Sequence, residues 1–235
     1  MKERLEQGLA ALGITPPDGA VDRLVRYAQL LLEQNKVMNL TAITEPDQVA
    51  DLHFLDCAGV ALCADLAGKS LIDVGTGAGF PGMVLKILVP DLQLTLVDSL
   101  GKRLDWLSTV CADLGLTGVT IRHARGEELS LDPAFRDGFD FASARAVADL
   151  RVLCELCLPY VKPGGRFLAM KAVDCEEEVS QAGRAVSVLG GRLRPAFRYH
   201  IPGTDVDRRV VLVEKVSPTP KGYPRRWAKM QKAPL

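Results

Sequence analysis

The stretch Ser70-Leu-Ile-Asp-Val-Gly-Thr-Gly-Ala-Gly-Phe-Pro-Gly82 decides how the rest of the chain is read. A short apolar run ends in Asp73, Gly75, Gly77 and Gly79 follow, and Pro81-Gly82 opens a helical pattern. That order is strand, tight turn, helix. The glycines stand where the backbone bends into positive φ and where a ligand must approach closely. Gly77-x-Gly79-x-x-Gly82 alone also fits a dinucleotide fingerprint, a pattern of low specificity. Asp73 separates the two readings. A carboxylate two residues before the first glycine repels a pyrophosphate, whereas a cationic methionine moiety tolerates it and its amine can pair with it. The acid-then-glycine order therefore points to S-adenosylmethionine.

Beyond this stretch, Leu94-Thr-Leu-Val-Asp98 reads as a second strand ending in an acid that can accept hydrogen bonds from ribose hydroxyls. The alternation continues. It predicts strands at 70–74, 93–98, 118–123, 139–144, 165–171, 193–200 and 209–215, and helices near 82–89, 101–114, 147–160 and 175–189. Strands alternating with helices mean a mainly parallel, doubly wound sheet. Only Pro202-Gly203-Thr-Asp205 separates the last two strands, so they form a hairpin and one runs antiparallel. The expected fold is a seven-stranded, Rossmann-like class I methyltransferase.

Ligands in such sheets bind beyond the carboxyl ends of the strands. There the sequence offers the glycine loop with Phe80, then Asp98, then Ala124-Arg-Gly126-Glu127, then Ser143-Ala-Arg145. Glu127 can accept from an adenine amino group and the Gly126 N–H can reach a ring nitrogen. For Arg145, spacing leaves three readings open: it holds the methionine carboxylate, faces the substrate, or is a surface arginine leaving a strand.

Ahead of the glycine stretch, residues 1–12 and 20–35 carry helical periodicity, with Leu24, Tyr27, Leu30 and Leu31 on one stripe and Pro16-Pro17 as the break. Asn39-Leu-Thr-Ala-Ile43 leads through Pro46 into a helix from Asp47 to about Ala67, on which His53 and Asp56 share a face. By composition alone His53 is a packing residue before it is a functional one. The expected organisation is a helical cap (1–67), an S-adenosylmethionine-dependent domain (68–216) and a basic tail (217–235).

The net charge of zero hides an asymmetry. Residues 1–183 carry 17 Lys+Arg against 26 Asp+Glu, net −9, and residues 184–235 carry 12 against 3, net +9. Such a split suits a nucleic-acid partner or a solvated basic extension. The tail favours the former, because Tyr223 and Trp227 interleave with Lys221, Arg225, Arg226, Lys229 and Lys232. Cations meet phosphates, and the aromatics can stack on unpaired bases or pack down on the domain. The six cysteines are spread along a chain without an export pattern and are expected as reduced thiols. Cys154-x-x-Cys157 lacks the further ligands of a zinc site and reads as core, so no metal is expected. No apolar run is long enough to span a bilayer, which points to a cytoplasmic protein, expected as a monomer.

With these residues in place the chain resembles the RsmG (GidB) family, bacterial enzymes that methylate N7 of one guanine in 16S ribosomal RNA. The resemblance rests on Asn39-Leu-Thr-Ala-Ile43, His53-Phe-Leu-Asp56, the Asp73 to Gly82 motif, Val97-Asp98-Ser-Leu, Lys102-Arg103, Arg125-Gly-Glu127, Ser143-Ala-Arg145-Ala, Met170-Lys171 and Tyr223-Pro-Arg-Arg226. It implies S-adenosylmethionine as cofactor and 16S rRNA or the small ribosomal subunit as partner. Gly75, Phe80, Gly126, Glu127 and Arg145 are the implied cofactor contacts, beside Asp73, Gly77, Gly79 and Asp98 from the motif reading. Arg145 and Lys171 are the candidates for reading guanine O6 or positioning the reactants. Asn39, His53, Lys221, Arg225, Arg226, Trp227 and Lys229 are the candidate RNA contacts. Three positions depart from the family pattern: Cys57 where a serine commonly stands, Ala172 where a glycine does, and Trp227-Ala-Lys-Met in place of a Pro-Gly-containing tail. Two other functions stay open at this level: a small-molecule methyltransferase with an incidental tail, and a catalytically idle RNA-binding Rossmann protein.

Overall fold

The computed structural model describes residues 1–145 and 148–235. Two helices, α1 (Lys2–Ala11) and α2 (Ala20–Met38), precede a helical stretch made of α3 (Pro46–Val49), a π-helical turn (Ala50–Leu55), α4 (Asp56–Ala58) and a 3-10 turn (Gly59–Leu62). The single α-helix expected from Asp47 to about Ala67 is thus replaced by a shorter, irregular one. A π-turn widens the helix at His53, a distortion that recurs at functional sites.

The sheet then alternates with helices: β1 (Ser70–Val74), α5 (Gly82–Leu88), β2 (Gln93–Asp98), α6 (Gly101–Asp113), β3 (Val119–His123), α7 (Gly126–Leu129), β4 (Phe139–Arg145), α8 (Leu150–Cys157) and β5 (Val161–Ala172). It continues with α9 (Glu176–Gln181), α10 (Gly183–Val188), β6 (Gly191–Leu193), β7 (Phe197–His200), β8 (Asp207–Lys215) and α11 (Trp227–Lys232). The start expected for the fourth helix, Val147, lies outside the described residues.

Strand order is β3-β2-β1-β4-β5-β8-β6, with β7 also on β8. The first five strands pair in parallel and β8 runs antiparallel to β5, with Leu168 opposite Leu212. The strand expected at 193–200 is two strands, which raises the count from seven to eight. Pro195, in the gap, has no N–H for a ladder, so the chain leaves the sheet edge and rejoins it. The direction of winding reverses between β1 and β4, which opens a crevice at their carboxyl ends.

Side chains alternate across the strands as the pleat requires, and each face buries its own core. Leu71, Leu94, Leu96 and Leu168 pack with α1, α2, α5 and α6, where Leu5, Leu24, Tyr27, Leu31 and Phe54 join the same cluster. Ile72, Val74, Val97 and Phe167 pack on the other face with α8, α10 and the end of the chain, including Met230. The N-terminal helices therefore cover one sheet face and the C-terminal segment helps to cover the other.

Residues 217–235 show no hydrophobic period yet are docked, with Tyr223 and Trp227 packed against the second core. Met230 is fully buried, and Arg136 donates to the carbonyls of Thr219 (2.9 Å) and Tyr223 (3.0 Å). Arg225 spans the carboxylate of Glu155, itself fully buried, with contacts from 2.5 to 3.1 Å. Lys215, also fully buried, ties the start of this segment down through Asp137, Thr219 Oγ1 and the carbonyls of Leu158 and Val161.

Candidate active site

A cavity of about 500 Å³ opens at the carboxyl ends of β1, β2 and β4. One side is the glycine loop. Gly75 and Gly77 take positive φ (69° and 58°) and leave the backbone bare toward the cavity. Gly79 also has positive φ (92°) but serves a different purpose: a Cβ there would stand 2.5 Å from the Tyr27 hydroxyl. That hydroxyl donates to the Ala78 carbonyl, so α2 clamps the loop from behind. Gly79 therefore makes room for the helical cap and does not line the cavity.

Asp73 requires the same correction. It is fully buried beneath the loop and faces Thr76 Oγ1 (2.7 Å), Ser143 Oγ (2.8 Å) and the Gly82 N–H (3.2 Å), all of which donate to its carboxylate. Burial pushes its carboxyl above the usual carboxylate range, against these hydrogen bonds. The amine pairing expected of it is thus replaced by an architectural role, fixing the loop to β4 and α5. Asp98 does reach the cavity. Its oxygens accept from the Gly77 N–H and the Leu100 N–H, each at 2.9 Å, which leaves the outer lone pairs for a ligand's hydroxyls.

Gly126 and Glu127 close the near end. A Cβ on Gly126 would lie 2.9 Å from Val74 Cγ1, so glycine lets α7 approach β1, and the Tyr160 hydroxyl fixes its carbonyl at 2.5 Å. Among the described residues no hydrogen-bond partner engages the carboxylate of Glu127, a buried acceptor aimed at the cavity.

The far end is built from side chains. Arg145 leaves β4 and lays its guanidinium 4.7 Å from the centre of the Phe80 ring, and His53 stacks on the same ring at 4.7 Å. The Arg145 guanidinium also meets the Leu52 carbonyl (3.3 Å), His53 Nδ1 (3.2 Å) and Asp56 Oδ2 (3.5 Å). Arg208 (3.3 Å) and the Tyr199 hydroxyl (2.9 Å) hold Asp56 Oδ1, so the last hairpin braces the cluster. Burial pushes the Asp56 carboxyl up, while Arg145 and Arg208 pull it down. His53 Nδ1 faces both the Leu52 carbonyl (3.1 Å) and the Arg145 guanidinium, and Nε2 faces Thr41 Oγ1 at 2.8 Å. Burial, and then the Arg145 charge, lower the His53 pKa to about 4, which keeps the ring neutral near pH 7.

The structure therefore gathers Gly75, Gly77, Phe80, Asp98, Gly126, Glu127 and Arg145 around one cavity, with His53 and Trp227 at its edge. It does not bring Lys171 there, because Nζ is engaged by the Ala148 carbonyl (2.8 Å) and Glu178 (2.5 Å). Asn39 caps α2 in the left-handed region (φ 50°) and is exposed. Arg225 spends its charge on Glu155, whereas Lys221, Arg226 and Lys229 are exposed and free of ion pairs among the described residues. Sequence reasoning missed Thr41 and Arg103 as lining residues, though both lie in the stretches Asn39–Ile43 and Lys102-Arg103 that were already singled out.

The strand order, the glycine shelf and the paired acid ends define the fold of an S-adenosylmethionine-dependent methyltransferase. Solved structures agree on the fold: TrmN from Thermus thermophilus superposes with a TM-score of 0.53 at 22% identity, over 69% of this chain and 48% of that one. A variant of the 16S rRNA (adenine(1408)-N(1))-methyltransferase with cosubstrate SAM, from Catenulisporales acidiphilia, gives 0.53 at 18% identity, over 70% and 93%. The family model described as rRNA small subunit methyltransferase G matches residues 20–200. Proteins named ribosomal RNA small subunit methyltransferase G are 45% identical in Symbiobacterium thermophilum (98% of this chain, 96% of that one) and 44% identical in Limosilactobacillus reuteri (99% and 98%). The chain belongs to this family, which makes it an S-adenosylmethionine-dependent methyltransferase of small-subunit ribosomal RNA.

Proposed function

We propose that the protein transfers the methyl group of S-adenosylmethionine to N7 of a single guanine in 16S rRNA. The observation that carries this reading is the far end of the cavity, where every titratable side chain is already engaged. Both ring nitrogens of His53 have partners, Thr41 Oγ1 at Nε2 and the Leu52 carbonyl and Arg145 at Nδ1, and Asp56 is held by Arg145, Arg208 and Tyr199. Burial pushes the neighbouring Cys57 thiol well above its ordinary range. Among the described residues no group there is free to take a proton or to attack as a thiolate.

Guanine N7 needs neither. Its in-plane lone pair forms the new N–C bond as the C–S bond breaks, the electron pair stays on sulfur, and no proton moves. The cofactor, when bound, supplies the electrophilic methyl. The chain's own residues supply alignment. Gly75 and Gly77 give close backbone approach, Asp98 and Glu127 accept from the nucleoside, and Arg145 presents a fixed guanidinium, suited to the methionine carboxylate or to guanine O6.

In this reading residues 1–67 act as a cap that clamps the loop, 68–216 carry the chemistry, and the exposed Lys221, Arg226 and Lys229 of 217–235 meet RNA phosphates. The cavity is complete within one chain, which supports a working monomer. Among the described residues no helix is long and apolar enough to cross a membrane, in keeping with a cytoplasmic enzyme.

The test is methyl transfer from labelled S-adenosylmethionine to 16S RNA and to small subunits lacking the modification, with the product nucleoside identified. The expected product is 7-methylguanosine at one site. Transfer to neither substrate, despite measured cofactor binding, would overturn the reading.

A further inference from the structure

Trp227 stands apart from the rest of the basic tail. Its indole is only partly buried, yet the backbone carrying it is pinned on both sides. Before it, Arg225 donates through its N–H (2.7 Å) and guanidinium to the buried Glu155. After it, Met230 sits fully inside the core of the second sheet face. A tryptophan there to sample RNA needs no such anchoring.

The indole also borders two spaces at once. It lines the main cavity beside Gly126, Glu127, Val74 and Leu156, and it lines a second cavity of about 580 Å³ that shares Arg125 and Glu127 with the first. Trp227 is therefore the partition at the near end. The same lining holds the apolar Val74 and Leu156, Gly126, where a Cβ would press on Val74, and the Glu127 carboxylate, an acceptor with no hydrogen-bond partner among the described residues. A slot with apolar sides, an aromatic ring and a hydrogen-bond acceptor at its rim fits a flat heterocycle bearing an amino group.

We propose that Trp227 packs on the adenine ring of S-adenosylmethionine, so that the C-terminal segment completes the cofactor site. This rests on the reading of the cavity as the cofactor site. It also makes cofactor affinity depend on the docking of a segment whose neighbouring cations face outward, so tail and cofactor site are one unit.

The sequence holds two tryptophans, and Trp106 is buried in the first core, outside the cavity. Fluorescence can therefore be assigned. S-adenosylhomocysteine should quench the full-length protein and its Trp106→Phe variant but not Trp227→Phe. By calorimetry, Trp227→Ala should weaken cofactor binding about tenfold and Trp227→Phe by no more than about threefold, in line with base–aromatic stacking energies. RNA affinity should stay within about twofold in both. Unchanged cofactor affinity in a folded Trp227→Ala protein, or a loss confined to RNA binding, would overturn the proposal. If the wild-type protein binds no cofactor, the reading of the cavity falls and the stacking role falls with it. If wild type binds and Trp227→Ala binds equally well, only the stacking role falls.

Discussion

The near and far ends of the cavity are built by different means. At the near end the glycine loop offers mostly backbone, beside the Glu127 and Trp227 side chains. The acids that hold the loop, Asp73 and Asp98, accept from the loop and its flanks (Thr76, Gly77, Gly82, Leu100) and from Ser143 on β4. At the far end the surface is side chain, and the partners come from widely separated segments: Thr41, His53 and Asp56 ahead of β1, Arg145 on β4, Tyr199 and Arg208 on the final hairpin. The glycine loop is inherited from the strand-turn-helix unit, and loss of the acids that hold it should show as unfolding. The far end is an electrostatic cluster assembled by the tertiary fold, and it should fail in chemistry while the fold survives.

Arg145→Ala tests the far end most directly. It removes the guanidinium from the cavity and from beside His53, and leaves Asp56 to Arg208 and Tyr199 alone. Methyl transfer should fall by about a hundredfold or more, the scale of losing one preorganised charged donor, with the thermal midpoint little changed. Cofactor and RNA affinities measured separately show which of them Arg145 serves. Undiminished transfer would mean that the far end has no part in the reaction.

Asp73→Asn is the matching test of the near end. Three donors converge on this buried carboxylate, and an amide turns one acceptor into a fourth donor. Urea unfolding should show a loss of about 2–3 kcal/mol, the cost of leaving buried donors unmet. Any loss of transfer should follow the fraction unfolded. A stable Asp73→Asn protein that no longer binds cofactor would restore Asp73 as a ligand contact and erase the contrast between the ends.

The far end also has a pH signature. The His53 pKa is about 4 in the folded protein, below the ordinary histidine value of about 6.5, because burial and Arg145 disfavour its cation. The unfolded chain therefore binds the proton more readily. The stability from neutral His53 is fully present above pH of about 6.5 and is lost as pH falls toward 4. Folding free energy should drop by on the order of 3 kcal/mol through this window, and His53→Gln should remove that component of the slope. An identical slope in the variant would mean that His53 titrates alike in the folded and unfolded chains and that burial and Arg145 do not disfavour its cation.

The same contrast explains what could be read in advance. The near end was legible because its parts are contiguous or fall at strand ends: the glycines, Phe80, Asp98 and Gly126-Glu127 all follow from the strand-turn pattern. Even there, pattern could not tell which way a side chain points, so Asp73 and Gly79 were placed on the shelf when they lie beneath or behind it. At the far end Arg145 and His53 were visible as residues but not as partners. Their meeting depends on a π-turn, which has no local signature, and on where the final hairpin docks, which its turn residues do not encode. The tail misled for a related reason. Its docking depends on the buried Glu155 and on single anchors such as Met230, which leave no periodicity.

Lys171 marks the limit of the far end, with the smallest effect expected. It follows Met170 on β5, next to Arg145's strand, and Met170 pairs with Arg145 across the ladder. Sequence proximity to the site therefore made it a candidate. Its ammonium group is turned away and held by Glu178 and the Ala148 carbonyl, while Glu178 also accepts from the Leu150 N–H. Lys171→Gln should cost about 0.5–1 kcal/mol of stability, the worth of a partly buried ion pair whose acid keeps another donor. Methyl transfer should stay within about twofold, because the nearest charged donor in the cavity is untouched. A tenfold loss of transfer with the fold intact would mean that Lys171 swings inward when the reactants bind. The far end would then reach one strand further than the resting cluster of Arg145, His53 and Asp56.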